Sequence, residues 1–244
     1  RKNQDNAGYL QAAGLYYELS EIMERENKDM IVNMLYVRSS LERANESRRE
    51  MEAVNVKLLK QSETDQMTGL ANRYRLNAYS EKVLDYCYEH RLPLAMEILD
   101  IDFFKQYNDN YGHQQGDECI IAIANELKKM EDGQTFCARY GGDEFIIIYA
   151  GISAEEVHAK AGALRQNIMN LKLEHLYSKA LPIVTISQGI SYGVPEEGNR
   201  SWDFLHTADM LLYQVKKKSR NDICIADIRG QELDLSSKQE KVEP

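Results

Sequence analysis

A chain of 244 residues with 43 % hydrophobic and 28 % charged side chains has the mix of a globular domain plus an appendage, which excludes wholesale disorder, collagen and low-complexity architecture. The net charge of −9 argues against a broad nucleic-acid-binding face, yet leaves room for a small basic phosphate pocket, because local charge dominates at contact range. No apolar run approaches the roughly 20 residues of a membrane span, so no membrane contact is expected within the chain. It begins at Arg1 rather than Met, as a portion of a longer protein would. The cysteines Cys87, Cys119, Cys137 and Cys224 are scattered without CxxC spacing and read as reduced core residues of a reducing compartment, the cytoplasm.

Residues 1–62 read as an all-helical segment. The stretch contains no Pro and only Gly8 and Gly14. From Met30 a heptad can be laid down with Met30, Val37, Ala44, Met51 and Leu58 at d, and Met34, Leu41, Arg48 and Asn55 at a. The seam turns polar toward its C-terminal end, as in a weak dimeric coiled coil. An unpaired helix packed on its neighbour fits the same pattern. Upstream, Tyr16, Leu19, Ile22, Met23 and Glu26 suggest an earlier helix ending near Asn27–Lys28–Asp29. Leu19, Ser20, Met23, Val32, Tyr36 and Ser39 resemble one degenerate tetratricopeptide hairpin, which would be the last unit of a longer array.

Residues 63–228 change to mixed α and β. The pattern predicts a helix over Arg73–His90 and a buried strand over Leu94–Ile101. Helical segments then open around Phe104, resume near Gly116 and run to Met130. Strands over 134–140 and 144–150 are joined by Gly141–Gly142. Ser153 and Glu156 form a capping box before a long helix. A strand over 183–192, a helix over 202–218 and a strand over 223–226 complete an α+β sheet expected to carry its helices on one side. Residues 229–244 read as a polar, disordered tail.

Three features carry chemistry. Asp100 and Asp102 end a strand and share one face, and buried acids there need a cation or a partner. Gly141–Gly142–Asp143–Glu144 places two small residues, which let a ligand approach the backbone, directly before two acids. Lys216–Lys217–Lys218–Ser219–Arg220 closes a late helix. Acids on adjacent strand ends with a basic cluster opposite suit Mg²⁺ and nucleotide phosphates. Each feature alone has an ordinary alternative: solvated loop acids, a simple turn, or cations complementing a helix C-terminus.

Their linear order resembles that of the GGDEF-family diguanylate cyclases. The five-letter signature Gly141–Gly142–Asp143–Glu144–Phe145 is intact. Asp65 to Arg73 is similar to the family's entry segment, with Met67 where Leu is usual. Asp100 to Asp117 matches the central motif without a gap, Thr185 to Ser191 the late strand, and Ala208 to Asn221 the final helix. The resemblance covers about residues 63–228. It implies a palm-like fold related to nucleotidyl cyclases, with a central, mainly antiparallel sheet, and condensation of two GTP into cyclic di-GMP with release of two pyrophosphates.

By the same resemblance, Asp100, Asp143, Glu144 and the carbonyl of Ile101 would hold Mg²⁺, with Mn²⁺ able to stand in. Asp143 would also take the 3′-hydroxyl proton. Lys105, with the backbone at Phe103 and Phe104, would stabilise the transferring phosphate, and Lys216 and Arg220 would hold the β- and γ-phosphates. Asn108 and Asp117 would read guanine, with His113 in the same wall, and Gly141 and Gly142 would admit the substrate. Catalysis would need a homodimer of half-sites, controlled by an upstream sensor or tetratricopeptide-like region, and the parent protein is free to be membrane-anchored beyond this stretch. Two departures stand out. Asp132 and Thr135 occupy the positions of the family's inhibitory Arg-x-x-Asp pair, so no inhibitory product site is expected. Ser219 stands where Gly is usual, and Ser does not adopt φ > 0 readily. The rivals are a catalytically silent nucleotide-binding signalling module, and a structural dimerisation element that would account for the helix alone.

Overall fold

The computed structural model describes residues 2–61, 63–231 and 233, and the chain divides into two compact units, Arg1–Gln61 and Ser62–Pro244. The first unit is one helix, α1 (Lys2–Gln61). The turn expected at Asn27–Lys28–Asp29 is absent, and with it the tetratricopeptide-like hairpin. No Pro or Gly follows Gly14 before Gln61, and a Lys28–Glu24 pair at 3.2 Å, one helical turn apart, spans the proposed break. Met30, Met34, Val37, Leu41 and Met51 of the heptad lie exposed along it. Leu58 lies outside the residues whose side chains are described.

The second unit runs α2 (Arg73–His90), β1 (Leu94–Ile101), α3 (Phe104–Tyr111), α4 (His113–Met130), β2 (Thr135–Gly141), β3 (Glu144–Ala150), α5 (Ala154–Asn170), β4 (Ile186–Gly193), α6 (Ser201–Lys218) and β5 (Ile223–Asp227). Local chemistry sets several boundaries. Asn72 caps α2 by accepting the Arg75 N–H at 3.0 Å, and α2 ends where Arg91 turns left-handed at φ 53°, just before Pro93. Ser153 and Glu156 form the expected capping box of α5. Gly112, at φ 85°, separates α3 from α4, which therefore starts at His113 rather than near Gly116.

The strands form one sheet in the order β2-β3-β1-β4-β5. All pairs are antiparallel except β4–β5. Helices cover both faces, not one. Leu99, Ile101, Ile147, Tyr149 and Ile190 pack with α3, α4 and α5, while Leu94, Met96, Ile146 and Ile148 pack with α2 and α6. The reason lies in β1 and β3, whose alternate residues are both apolar, so that each face needs a cover. Gly189 lets α6 lie directly on β4: a Cβ there would sit 2.2 Å from the Ala208 carbonyl and 2.3 Å from the Leu212 nitrogen. That close approach carries the end of α6 over the ends of β1 and β3.

Smaller departures follow from hydrogen bonding. Residues 183–185 do not extend β4; Ile183 bridges Glu174 in a short excursion from the α5–β4 connection. Residues 229–231 and 233 are not a free tail. Asp227 donates its N–H to Gln231 O at 2.9 Å, and Leu233 packs on the core. The rest of the expected tail, 234–244, lies outside the described residues. Among the described residues no disulfide forms, and Cys87, Cys119 and Cys137 are buried. No described helix is long and apolar enough to cross a membrane.

Candidate functional site

The acids gather at one end of the sheet. Asp100 is the register partner of Glu144 on β3 and of Ser187 on β4. Asp143 adjoins Glu144 in the β2–β3 hairpin, whose two-residue loop is Gly142–Asp143 because Gly141 pairs with Glu144. Lys216, in the last turn of α6, reaches Asp100 Oδ2 at 2.7 Å. Burial pushes the Asp100 carboxyl up to about 6; Lys216 opposes that rise and the charges of Asp143 and Glu144 add to it. Glu144 is likewise raised, by burial first, with Lys216 opposing and Asp143 and Asp209 adding. The pocket therefore holds more negative charge than its one lysine neutralises.

Asp102 plays a different part from Asp100. It lies just past the end of β1, fully buried and fully engaged. It accepts from Thr185 Oγ1 at 2.8 Å, Ser187 Oγ at 2.7 Å and the Asn221 N–H at 2.9 Å. Arg220 Nη1 stands 3.5 Å away. Asp102 is thus a tie that binds the segment after α6 to the segment after β1. Both segments are left-handed: Phe103 at φ 57°, Arg220 at 55° and Asn221 at 45°. Such conformations in bulky residues persist only when neighbours enforce them. The concern over Ser219 is resolved, since it sits at φ −133° and Arg220 takes the turn instead. The Arg220 guanidinium lies 4.2 Å from the centre of the Phe103 ring, a cation–π contact. Lys105 is exposed on the first turn of α3.

The part expected of Phe104 falls to its backbone. Its side chain belongs to the hydrophobic core, so only its main chain could face a phosphate. Asn108 lies against Gly116, the residue before Asp117, at the α3–α4 corner. A glycine is needed for that approach, because a Cβ there would fall 1.9 Å from Asn108 Oδ1. That oxygen is buried without a partner among the described residues, as a group awaiting a donor would be. Asp117 and His113 are exposed on the first turns of α4.

Four positioning contacts escaped the sequence. Arg139 donates from Nη2 and Nε to the Gly142 carbonyl at 2.8 and 3.1 Å, bracing the signature turn. Asp65 holds Arg139 at 3.1 Å. Burial alone would raise the Asp65 carboxyl, but the Thr68 hydroxyl, the Thr68 N–H and Arg139 outweigh it and hold it below 3.8. Met67, the departure from Leu, places its sulfur 3.3 Å from Arg139 Nη1. Arg165 on α5 donates to the Asn221 carbonyl, supporting the left-handed turn from behind. The two residues of the Asp65–Arg139 pair lie 74 positions apart, a separation that no local pattern in the sequence reports.

The donor set suits Mg²⁺. Asp100, Asp143 and Glu144 are hard oxygen ligands; the charge of Asp143 adds to the raised proton affinity of Asp100 and Glu144, and a cation would relieve that repulsion. Among the described residues no three side chains close around one point as a metal cluster. A cation here would lean on a few carboxylates, on the Ile101 carbonyl and on phosphate oxygens, as Mg²⁺ habitually does.

Residues 62–222 match the family described as diguanylate cyclase, GGDEF domain. The chain is 35 % identical over 163 residues to the probable diguanylate cyclase DgcC of Escherichia coli K12, covering 66 % of this chain and 42 % of DgcC. It is 33 % identical over 190 residues to the diguanylate cyclase DgcP of Pseudomonas aeruginosa, covering 76 % of this chain and 28 % of DgcP. It thus spans less than half the length of either relative. The solved coiled coil and GGDEF domain of DgcB from Caulobacter crescentus, in complex with c-di-GMP, superimposes with a TM-score of 0.62 at 28 % identity, covering 75 % of this chain and 97 % of that one. With that match over residues 62–222 and the signature Gly141–Gly142–Asp143–Glu144–Phe145 intact, the chain belongs to the diguanylate cyclase GGDEF-domain family.

Proposed function

We propose that the chain condenses two GTP into cyclic di-GMP with release of two pyrophosphates, acting as a homodimer of half-sites. The observation that supports this most is the meeting of Asp100, Asp143 and Glu144 with Lys216 at one sheet end, with Arg220 fixed one turn beyond. Asn108 and Asp117 hold guanine, whose N1–H and N2–H are a donor pair that adenine lacks. Lys216 and Arg220 take the β- and γ-phosphates, exchanging their contacts to Asp100 and Asp102 for phosphate oxygens. Asp143 accepts the proton of the 3′-hydroxyl. The freed oxygen attacks the α-phosphate of the opposite nucleotide, the bond to the β-phosphate breaks, and pyrophosphate leaves. Lys105 and the main chain around Phe103 stabilise the charge on the transferring group. Mg²⁺ held by Asp100, Asp143, Glu144 and the Ile101 carbonyl would supply Lewis-acid stabilisation of that charge, and Mn²⁺ would substitute.

One domain holds one GTP, so a second copy must face it. The exposed seam of α1 supplies a means of pairing and raises the effective concentration of the second half-site. A region upstream of residue 1 would act through α1 as the sensor. The site of action is the cytoplasm, where GTP is available. Product feedback through residues 132–135 is not expected. Lys160 lies 2.8 Å from Asp132 and 3.0 Å from Thr135, and neither residue offers a guanidinium to a phosphate.

The test is incubation with GTP and Mg²⁺ followed by chromatographic separation of nucleotides, beside an Asp143→Ala control. Cyclic di-GMP from the unsubstituted protein alone supports the proposal. GTP bound but not converted, at high protein concentration, would instead identify a silent module.

A further inference from the structure

The connection between α5 and β4 leaves the sheet as a two-stranded excursion, closed by the Glu174–Ile183 bridge. It returns to hold two consecutive residues of the phosphate turn. Thr185 O accepts the Asp102 N–H at 2.9 Å. His175 Nε2 lies 3.2 Å from the carbonyl of the next residue, Phe103. That carbonyl also accepts the Tyr107 N–H, which opens α3, at 3.0 Å. Phe103 is therefore held by its carbonyl on one side and by Arg220 over its ring on the other.

His175 is 0 % exposed and has little freedom. Its ring meets Tyr107 edge-on, with centroids 5.2 Å apart at 88°, and meets Tyr111 at 6.3 Å and 76°. The next residue is fastened too, because the Leu176 N–H donates to the Tyr111 hydroxyl at 3.1 Å. A carbonyl can only accept, so Nε2 must carry the proton. Nδ1 has no partner among the described residues, and burial lowers the imidazole below its usual 6.5. Both facts keep the ring neutral.

We infer that His175 is a positioning residue for triphosphate binding: through the Phe103 carbonyl it fixes the left-handed turn from which Phe103, Lys105 and the Arg220 guanidinium meet the nucleotide. The proposal rests on the cyclase reading above. His175 touches no substrate atom and acts from the far side of the turn. No short motif marks it, since it lies in the least regular stretch of the unit.

Two variants and one spectroscopic measurement test it. His175→Phe keeps an aromatic ring between Tyr107 and Tyr111 but removes the donor. His175→Gln returns an N–H close to the position of Nε2. The KM for GTP should rise about fivefold in His175→Phe, the worth of one neutral hydrogen bond, while kcat changes less. It should return to within about twofold of the unsubstituted protein in His175→Gln. An unchanged KM in a folded His175→Phe protein, or no recovery in His175→Gln, would overturn the proposal, because a purely structural role alters thermal stability without moving KM. Long-range ¹⁵N–¹H NMR of the unsubstituted protein should show the neutral Nε2–H tautomer; an Nδ1–H or charged ring would also sink it, even if His175→Phe failed to fold. Absence of cyclic di-GMP from the unsubstituted protein would overturn the cyclase reading instead, and the two failures are separately visible.

Discussion

At Arg139, a residue with no direct part in the proposed reaction controls one that has. Its guanidinium braces the Gly142 carbonyl and is itself held by Asp65, so the acid that follows Gly142 inherits its place from a contact 74 residues away in sequence. Asp65→Asn keeps the shape but removes the charge from this pair. We expect kcat to fall about tenfold, equivalent to about 1.4 kcal/mol, with the folded state retained; steady-state kinetics beside a thermal melt would show this, and an unchanged kcat would count against the brace. A second prediction concerns Glu97, which is fully buried beneath β1. It accepts from Tyr149 Oη at 2.8 Å and Gln188 Nε2 at 2.6 Å. Burial pushes its carboxyl up to about 7 against these bonds, which pull it down. The folded protein then binds a proton that the unfolded chain has already released, so stability falls as pH rises from about 4.5 through about 7. Glu97→Gln should raise the melting temperature by several degrees, about 5 °C, at pH 8 and by little at pH 5. An equal gain at both pH values would contradict a raised carboxyl.

At the scale of elements, the site depends on how closely α6 lies on β4. Lys216 reaches Asp100 and Arg220 reaches Asp102 because the helix touches the strand at Gly189, with no side chain between them. Gly189→Ala puts a methyl group into backbone atoms that cannot move independently. We expect a loss of about 2–4 kcal/mol in chemical denaturation. Activity should fall further than the lost folded fraction explains, because Lys216 and Arg220 are displaced together. A variant with unaltered stability and turnover would show that α6 is free to ride outward. The loop from α5 to β4 serves the opposite side of the site, tying Asp102 and Phe103 from below while α6 ties them from above.

For the whole molecule, the proposed reaction makes activity depend on pairing. In that proposal a domain that carries one nucleotide completes no product alone, and Met30, Met34, Val37, Leu41 and Met51 of α1 lie exposed. Removal of residues 1–62 should leave the second unit folded, with specific activity that falls steeply on dilution and recovers at high protein concentration. The intact chain should keep its specific activity to lower concentration, by about 10²-fold or more for a linked pair. Rate against enzyme concentration, alongside sedimentation, measures this. Identical dilution curves for the two proteins would remove α1 from the mechanism.

Much of this was legible in the residues themselves. Asn72, Ser153 with Glu156, and the paired glycines announced their elements because caps and turns are local chemistry, read within four positions of the chain. Asp100, Asp143, Glu144, Lys216 and Arg220 stand in a linear order that suffices to suggest the family. Contacts between distant segments were not legible. A single helix at 27–29 instead of a turn, helices on both faces of the sheet, Phe104 in the core, and the left-handed turn at Arg220 rather than Ser219 all depend on what packs against what. The same is true of Asp102, for which the sequence leaves open a cation or a partner, and which proves to be a buried tie to Thr185, Ser187 and Asn221. The sequence by itself determined which chemical groups the protein carries and which short stretches turn, cap or extend. Only the tertiary structure decided which acids remain available to a ligand, because burial and hydrogen-bond saturation belong to the surroundings of a side chain and not to its identity.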